Sequence, residues 1–362
     1  MSNASKPAAT LMQRIGLDLP LIQAPMAGIS TPAMAAAVTN AGALGFLAVG
    51  AMQPHQAHEA IAATRALTHR PFGVNVFCHA PARRDAALEA AWLNYLAPEF
   101  QRFGATAPDT LREIYPTFLH DAAMQELLLR QRPAVVSFHF GLPDAAYIAA
   151  LRERGIVTFA TATSLDEAAR VQAAGVDAIV AQGIEAGGHR GIFDADAAAD
   201  EGLPTQVLVR LLVREQPLPV IAAGGIMDGA GIAAALALGA QAAQLGTAFV
   251  TTDESAADAA YRQALLGSRP VRTTLTRAVS GRPARGLSNR LTVLGQAPDA
   301  PRPPDYPVTY DAGKALHAAA RGHGERGYAA HWAGQGAALV RALPAAQLVQ
   351  VLASELAAAR AE

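Results

Sequence analysis

Eight short apolar runs, each followed by a longer stretch of mostly alanine-rich chain, constrain this sequence more than any other feature. They are LPLIQAP from Leu19, GALGFLAVG from Gly42, FGVNVF from Phe72, AVVSFHF from Ala134, GIVTFAT from Gly155, DAIVAQG from Asp177, LPVIAAGG from Leu218 and AAQLGTAF from Ala242. Runs of this kind read as parallel strands covered on both faces, joined by crossover helices. Eight is the number that closes a barrel, so the fold predicted is α/β, a (β/α)8 TIM barrel. A doubly wound open sheet has the same rhythm, but it places its glycine-rich phosphate loop after the first strand. Here the glycines gather late in the chain.

Local chemistry supports the same rhythm. Thr31-Pro32, Ser164 with Glu167 as a capping box, and Asp228 mark helix starts, while Gly42, Gly175 and Gly239 mark ends. Two stretches break the repeat. Residues 80–130 are too long for one crossover and predict added helices, with Pro81, Pro98, Pro108 and Pro116 as punctuation. Residues 251–324, rich in Arg, Pro and Gly, predict an inserted lid or small substrate domain over the barrel mouth, with PDAPRPPDYP as a stiff connection. The barrel is then expected from residues 8–250 plus 325–360, with a helix pair from Tyr328 returning to its wall. Ser2, Asn3 and Ala4 read as the remnant of an expression tag.

Composition narrows the partner. With 29 Lys+Arg against 30 Asp+Glu, no broad basic field exists for nucleic acid or anionic lipid, and a small molecule is expected instead. The single cysteine, Cys78, excludes an internal disulfide and an all-cysteine metal cluster; no metal is expected, and a cytoplasmic setting is. Each apolar run breaks well short of the ~20 residues a membrane span needs. A homodimer is the assembly to test.

In such a barrel the chemistry lies at the C-terminal strand ends, with phosphate held beyond strands seven and eight. Gly224 and Gly225 follow the seventh run and free the backbone to approach an anion, helped by the next helix N-terminus; Gln244, Leu245, Gly246 and Thr247 end the eighth. A phosphorylated planar cofactor, FMN, fits this placement. Ala24, Pro25 and Met26 would supply a backbone face for its ring, and the amides of Asn75 and Gln182, read as strand ends, its polar edge. After the sixth run, His189 stands among Gly187, Gly188 and Gly191, where loose backbone lets an acid–base imidazole lean over that ring. His139 reads as a packed histidine lining the pocket, His79 as a weaker candidate, and Glu185 as a structural carboxylate or an aid to His189. Tyr306, Tyr310 and Lys314 recur every four residues and reach the pocket rim if helical, with Pro307 placing Tyr306 before the helix.

Taken in order, QAPMAGISTPAMAAAVTNAGALG at Gln23, PFGVNVF at Pro71, SFHFG at Ser137, QGIEAGGHRG at Gln182, AAGGIMDG at Ala222, QLGTAF at Gln244, TRAVSGRPARG at Thr276, YPVTYDAGKAL at Tyr306 and HWAGQGA at His331 resemble the nitronate monooxygenase family. The resemblance covers about nine-tenths of the chain. It implies FMN contacts at Asn75, Gln182, Gly187, Gly225 and the run Gln244 to Thr247, and a catalytic role for His189. It further implies oxidation of alkyl nitronates, such as propionate 3-nitronate, by dioxygen to a carbonyl compound and nitrite. Some of these motifs recur in FMN-dependent enoyl-acyl carrier protein reductases, so an NAD(P)H oxidoreductase, acting on an enoyl thioester or a quinone, is the alternative. A non-enzymatic flavin-binding barrel is a third reading.

Overall fold

The computed structural model describes residues 10–195, 200–267 and 271–361; Ser2, Asn3 and Ala4 lie outside them. All eight apolar runs form strands: β1 (Leu21–Gln23), β2 (Phe46–Ala48), β3 (Gly73–Phe77), β4 (Val135–His139), β5 (Val157–Ala162), β6 (Ala178–Gln182), then, after a short strand β7 (Gly188–His189) outside the barrel, β8 (Val220–Ala223) and β9 (Ala242–Leu245). They pair in parallel in the order β1-β9-β8-β6-β5-β4-β3-β2. A parallel bridge between Ile22 and Leu44 closes the ring, with Gln23 N–H donating to the Leu44 carbonyl at 2.9 Å. The architecture is therefore the expected TIM barrel.

Alternation along the strands explains the interior. Ile22, Phe46, Val135, Phe159, Val180 and Ile221 all point inward and form one buried cluster. The helix Leu11–Ile15 seals the N-terminal end of the barrel by burying Leu11 and Ile15 in that cluster. Outside, each strand leads to a wall helix. The helix Ala345–Ala361 completes the ring by packing between Pro32–Asn40 and Gly229–Ala237. One long helix and a 3-10 turn, Gln335–Leu339, stand where a helix pair was expected.

Thr31, Ser164 and Asp228 cap helices as predicted, their side chains accepting from Met34, Glu167 and Gly231 N–H. The capping box at Ser164 is only half made. The Glu167 carboxylate turns instead to Thr163 N–H at 2.7 Å and Phe193 N–H at 2.7 Å, two donors the turn would otherwise leave unmet.

Residues 80–130 do add helices, at Ala86–Gln101 and Ala122–Gln131. Pro98 is not punctuation: it lies inside Ala86–Gln101, lacks the N–H that would return to the Asn94 carbonyl, and the helix ends within a turn after it. Trp92, Leu96 and Phe100 of this helix bury against Tyr306, Tyr310, Leu316 and Tyr328, so the insertion and the late segment share a second core. Glu99 ties them further, accepting from Arg290 Nε at 2.9 Å, and that hydrogen bond leads the causes that hold its carboxyl down at about 2. Within the late segment, β10 (Thr273–Thr276) and β11 (Ala284–Leu287) form with β7 a small antiparallel sheet that the sequence reading did not foresee.

Candidate active site

The inward row that is apolar at the barrel floor turns polar at its mouth. Val135 gives way to Ser137 and His139, Phe159 to Thr161, Val180 to Gln182, Gly73 to Asn75 and Ala242 to Gln244, and all these upper residues line one cavity of about 630 Å³. A period of two thus converts sequence position directly into depth. Asn75 sits mid-strand, not at a strand end; its register opposite Ser137 puts it level with the mouth, where its Nδ2 donates to Ser137 Oγ at 2.8 Å.

The cavity also gathers Ala24, Pro25, Met26, Gly187, Gly188, His189, Gly224, Gly225, Gly246, Thr247, Tyr306, Tyr310 and Lys314. Leu245 is absent from the lining. Alternation turns its side chain outward into the core shared with the wall helices, while its carbonyl accepts from Ala24 N–H at 2.8 Å.

His189 is not carried on loose backbone. β7 pairs it with Ala284, Gln182 Nε2 donates to its carbonyl at 2.9 Å, and Arg190 N–H donates to the Pro283 carbonyl at 2.8 Å. Arg190, fully buried, is itself satisfied by Asp200 at 2.7 Å. Gln182 accepts Gly191 N–H at 2.7 Å through its other amide atom, so both ends of this side chain hold the loop. Gly191 has no alternative, since a Cβ there would stand 2.4 Å from Thr161 Cγ2.

His139 Nδ1 meets Thr161 Oγ1 at 2.9 Å and its Nε2 faces the His189 carbonyl at 3.3 Å. A carbonyl only accepts, so Nε2 carries the proton and the threonine hydroxyl donates to Nδ1. Burial, then the charge of Arg282, pushes His139 down to about 3. Burial, then the charges of His139 and Arg282, holds His189 well below the ordinary histidine range. Both imidazoles are neutral near pH 7.

Aromatic rings surround the His189 ring. Its ring centroid lies 5.4 Å from Tyr306, 5.8 Å from Tyr310, 5.1 Å from Trp332 and 5.5 Å from Phe140. The helix Val308–Gly322 begins after Pro307, placing Tyr310 and Lys314 one turn apart and Tyr306 just before it. Lys314 Nζ lies 4.9 Å above the Tyr115 ring. Sequence reasoning missed Tyr115 and Trp332 as lining residues, because both sit in irregular chain where no period reports orientation. It also missed Ser280, whose Oγ lies 3.0 Å from His189 Nε2.

The turn after β8 bends through Gly224 at φ +133° and Gly225 at φ +69°, conformations open chiefly to glycine. The following helix N-terminus is less available than expected: Asp228 takes Gly231 N–H at 2.8 Å and Glu355 takes Gly229 N–H at 2.9 Å. Glu185 accepts from Thr205 N–H at 3.0 Å and Thr205 Oγ1 at 2.9 Å, a bracing contact between the β6 loop and the next helix. Its partners are those of a structural carboxylate, and none is His189. His79 is buried beside Tyr306 at 4.9 Å and lies outside the cavity lining.

No helix among the described residues is long and apolar enough to cross a membrane. A family model described as nitronate monooxygenase matches residues 9–355. The chain is similar to a nitronate monooxygenase from Paraburkholderia phytofirmans, 62% identical over 96% of this chain and 94% of that protein. It superposes on the crystal structure of nitroalkane oxidase from Streptomyces ansochromogenes with a TM-score of 0.89 and 43% identity, covering 98% and 99% of the two chains. FabK from Thermotoga maritima is more distant, at a TM-score of 0.72 and 29% identity over 97% and 96%. With its barrel, its histidine-bearing cavity and this likeness running from end to end, the chain belongs to the nitronate monooxygenase family, oxidoreductases that act on nitronates.

Proposed function

We propose that the cavity binds FMN and oxidises alkyl nitronates, propionate 3-nitronate among them, with dioxygen to a carbonyl compound and nitrite. One observation carries this reading: among the described residues, the lining pairs glycine turns and neutral amides at the barrel mouth with one flexible cation, Lys314, and contains no carboxylate side chain. A phosphate-bearing cofactor and an anionic substrate meet no fixed negative charge there. The volume lies within the ~300–1,000 Å³ of small-molecule sites.

The residues fit the cofactor. Gly224, Gly225, Gly246 and Thr247 would hold its phosphate, the 24–26 backbone would cover one ring face, and Asn75 and Gln244 would meet the polar edge. Gln182 acts through the His189 loop. When bound, the flavin supplies the redox chemistry between nitronate and oxygen. Neutral His189 takes a proton from a nitroalkane, Tyr306, Tyr310 and Trp332 exclude water around it, and Lys314 draws the negative substrate inward. Residues 251–324 form the substrate-side cap in this reading, and a cytoplasmic homodimer is its setting.

The test is nitrite release with oxygen uptake when propionate 3-nitronate is added to purified holoenzyme, beside anaerobic addition of NADH. The reading expects nitrite from the nitronate and slow or negligible bleaching by NADH. Rapid bleaching without nitrite formation would assign the reductase activity instead.

A further inference from the structure

Ser280, fully buried in the turn between β10 and β11, has no place in the cavity wall, yet its hydroxyl meets the ring of His189. Its Oγ is surrounded by three groups: His189 Nε2 at 3.0 Å, the Arg282 carbonyl at 3.1 Å and Arg282 N–H at 3.3 Å. The hydroxyl has one proton to give. Given to His189, it would leave the Arg282 carbonyl facing a second acceptor at 3.1 Å; given to the carbonyl, it leaves Oγ accepting from both N–H groups and every partner satisfied. Phe140, Tyr306, Tyr310 and Trp332 crowd the ring, while β7 pairing, Gln182 and His139 hold the His189 backbone.

We propose that Ser280 is a positioning residue that locks His189 as the neutral imidazole protonated on Nε2, making Nδ1 the atom that exchanges protons with the substrate. Nδ1 has no protein partner among the described residues, and His189 borders the cavity. The consequence for turnover rests on the nitronate reading. A neutral nitroalkane gives its α-proton to Nδ1: the C–H bond breaks, its electron pair moves into the nitro group, and an N–H bond forms. A nitronate supplied as the anion meets a lone pair at Nδ1, so its binding draws one proton from solvent onto that atom.

The test needs no substrate. In ¹⁵N-histidine holoenzyme at pH 7, with His189 assigned by difference against His189→Gln, a pyridine-type Nδ1 and a pyrrole-type Nε2 are expected. A protonated Nδ1 would overturn the proposal, whatever any variant does. Ser280→Ala should mix the two ring forms and lower kcat by about tenfold or more, within the ~10²–10⁴ that a positioned acid or base contributes, with KM nearly unchanged. Wild-type ring form and kcat in that variant would also overturn it. Absence of nitrite from enzyme with the expected resonances would defeat the nitronate reading and leave the positioning role standing.

Discussion

At the scale of single residues, the site depends on neutral groups held in place by neighbours. Replacing His189 by Ala should keep bound flavin and lower turnover by roughly 10²-fold or more, the usual loss for a positioned acid or base; flavin absorbance and nitrite release read the two separately. Glu185→Gln tests the structural role of that carboxylate. It should destabilise the fold by about 1–3 kcal/mol through a weakened Thr205 contact, read as a lowered thermal midpoint, and leave the pH profile of kcat unmoved. A shifted profile would instead make Glu185 an aid to His189. His189, Tyr306, Tyr310 and Lys314 were legible in the sequence because each sits at a countable place, a strand end or a helical period. Ser280, Tyr115 and Trp332 were not, since contacts across 91 residues, like that of Ser280 with His189, leave no local pattern.

At the scale of elements, all eight strands were readable because each is buried on both faces and therefore reads as a short, mostly apolar run. What escaped was the sheet of β7, β10 and β11: β7 is two residues long, and β10 and β11 read as part of a polar loop. That sheet replaces the expected loose loop with a pinned one. The glycine turn after β8 carries a sharper prediction. Gly224→Ala forces a Cβ to within 2.5 Å of Thr205 Oγ1 at a φ that L-residues avoid, so it should destabilise the fold by about 1–3 kcal/mol and weaken flavin retention on gel filtration. Leu96→Ala, in the helix Ala86–Gln101, removes a fully buried side chain from the second core. It should cost about 2–5 kcal/mol, read as a lowered urea midpoint.

At the scale of the whole molecule, buried histidines couple stability to pH. His79 is pushed down to about 4 by burial and by Arg282, and His139 to about 3. In the unfolded chain both titrate near the ordinary value of about 6.5, so below that pH the unfolded state binds more protons than the folded one. Their stabilisation is whole above pH 6.5 and drains away as pH falls toward 4, with about 3 kcal/mol at stake from His79 alone. Urea midpoints measured from pH 7 down to pH 5 should fall, and His79→Leu should flatten the slope. The barrel itself needed only its strand count to be recognised, whereas the second core joins two segments, 80–130 and 251–324, that meet only in three dimensions.

In the proposed function, one cavity joins a flavin, a nitronate and the imidazole of His189. It is tested most directly by measuring nitrite released from propionate 3-nitronate by wild-type holoenzyme and by a His189→Ala variant with equal flavin content. Nitrite is expected from the first and little or none from the second; equal rates from both, or none from either, would overturn the assignment.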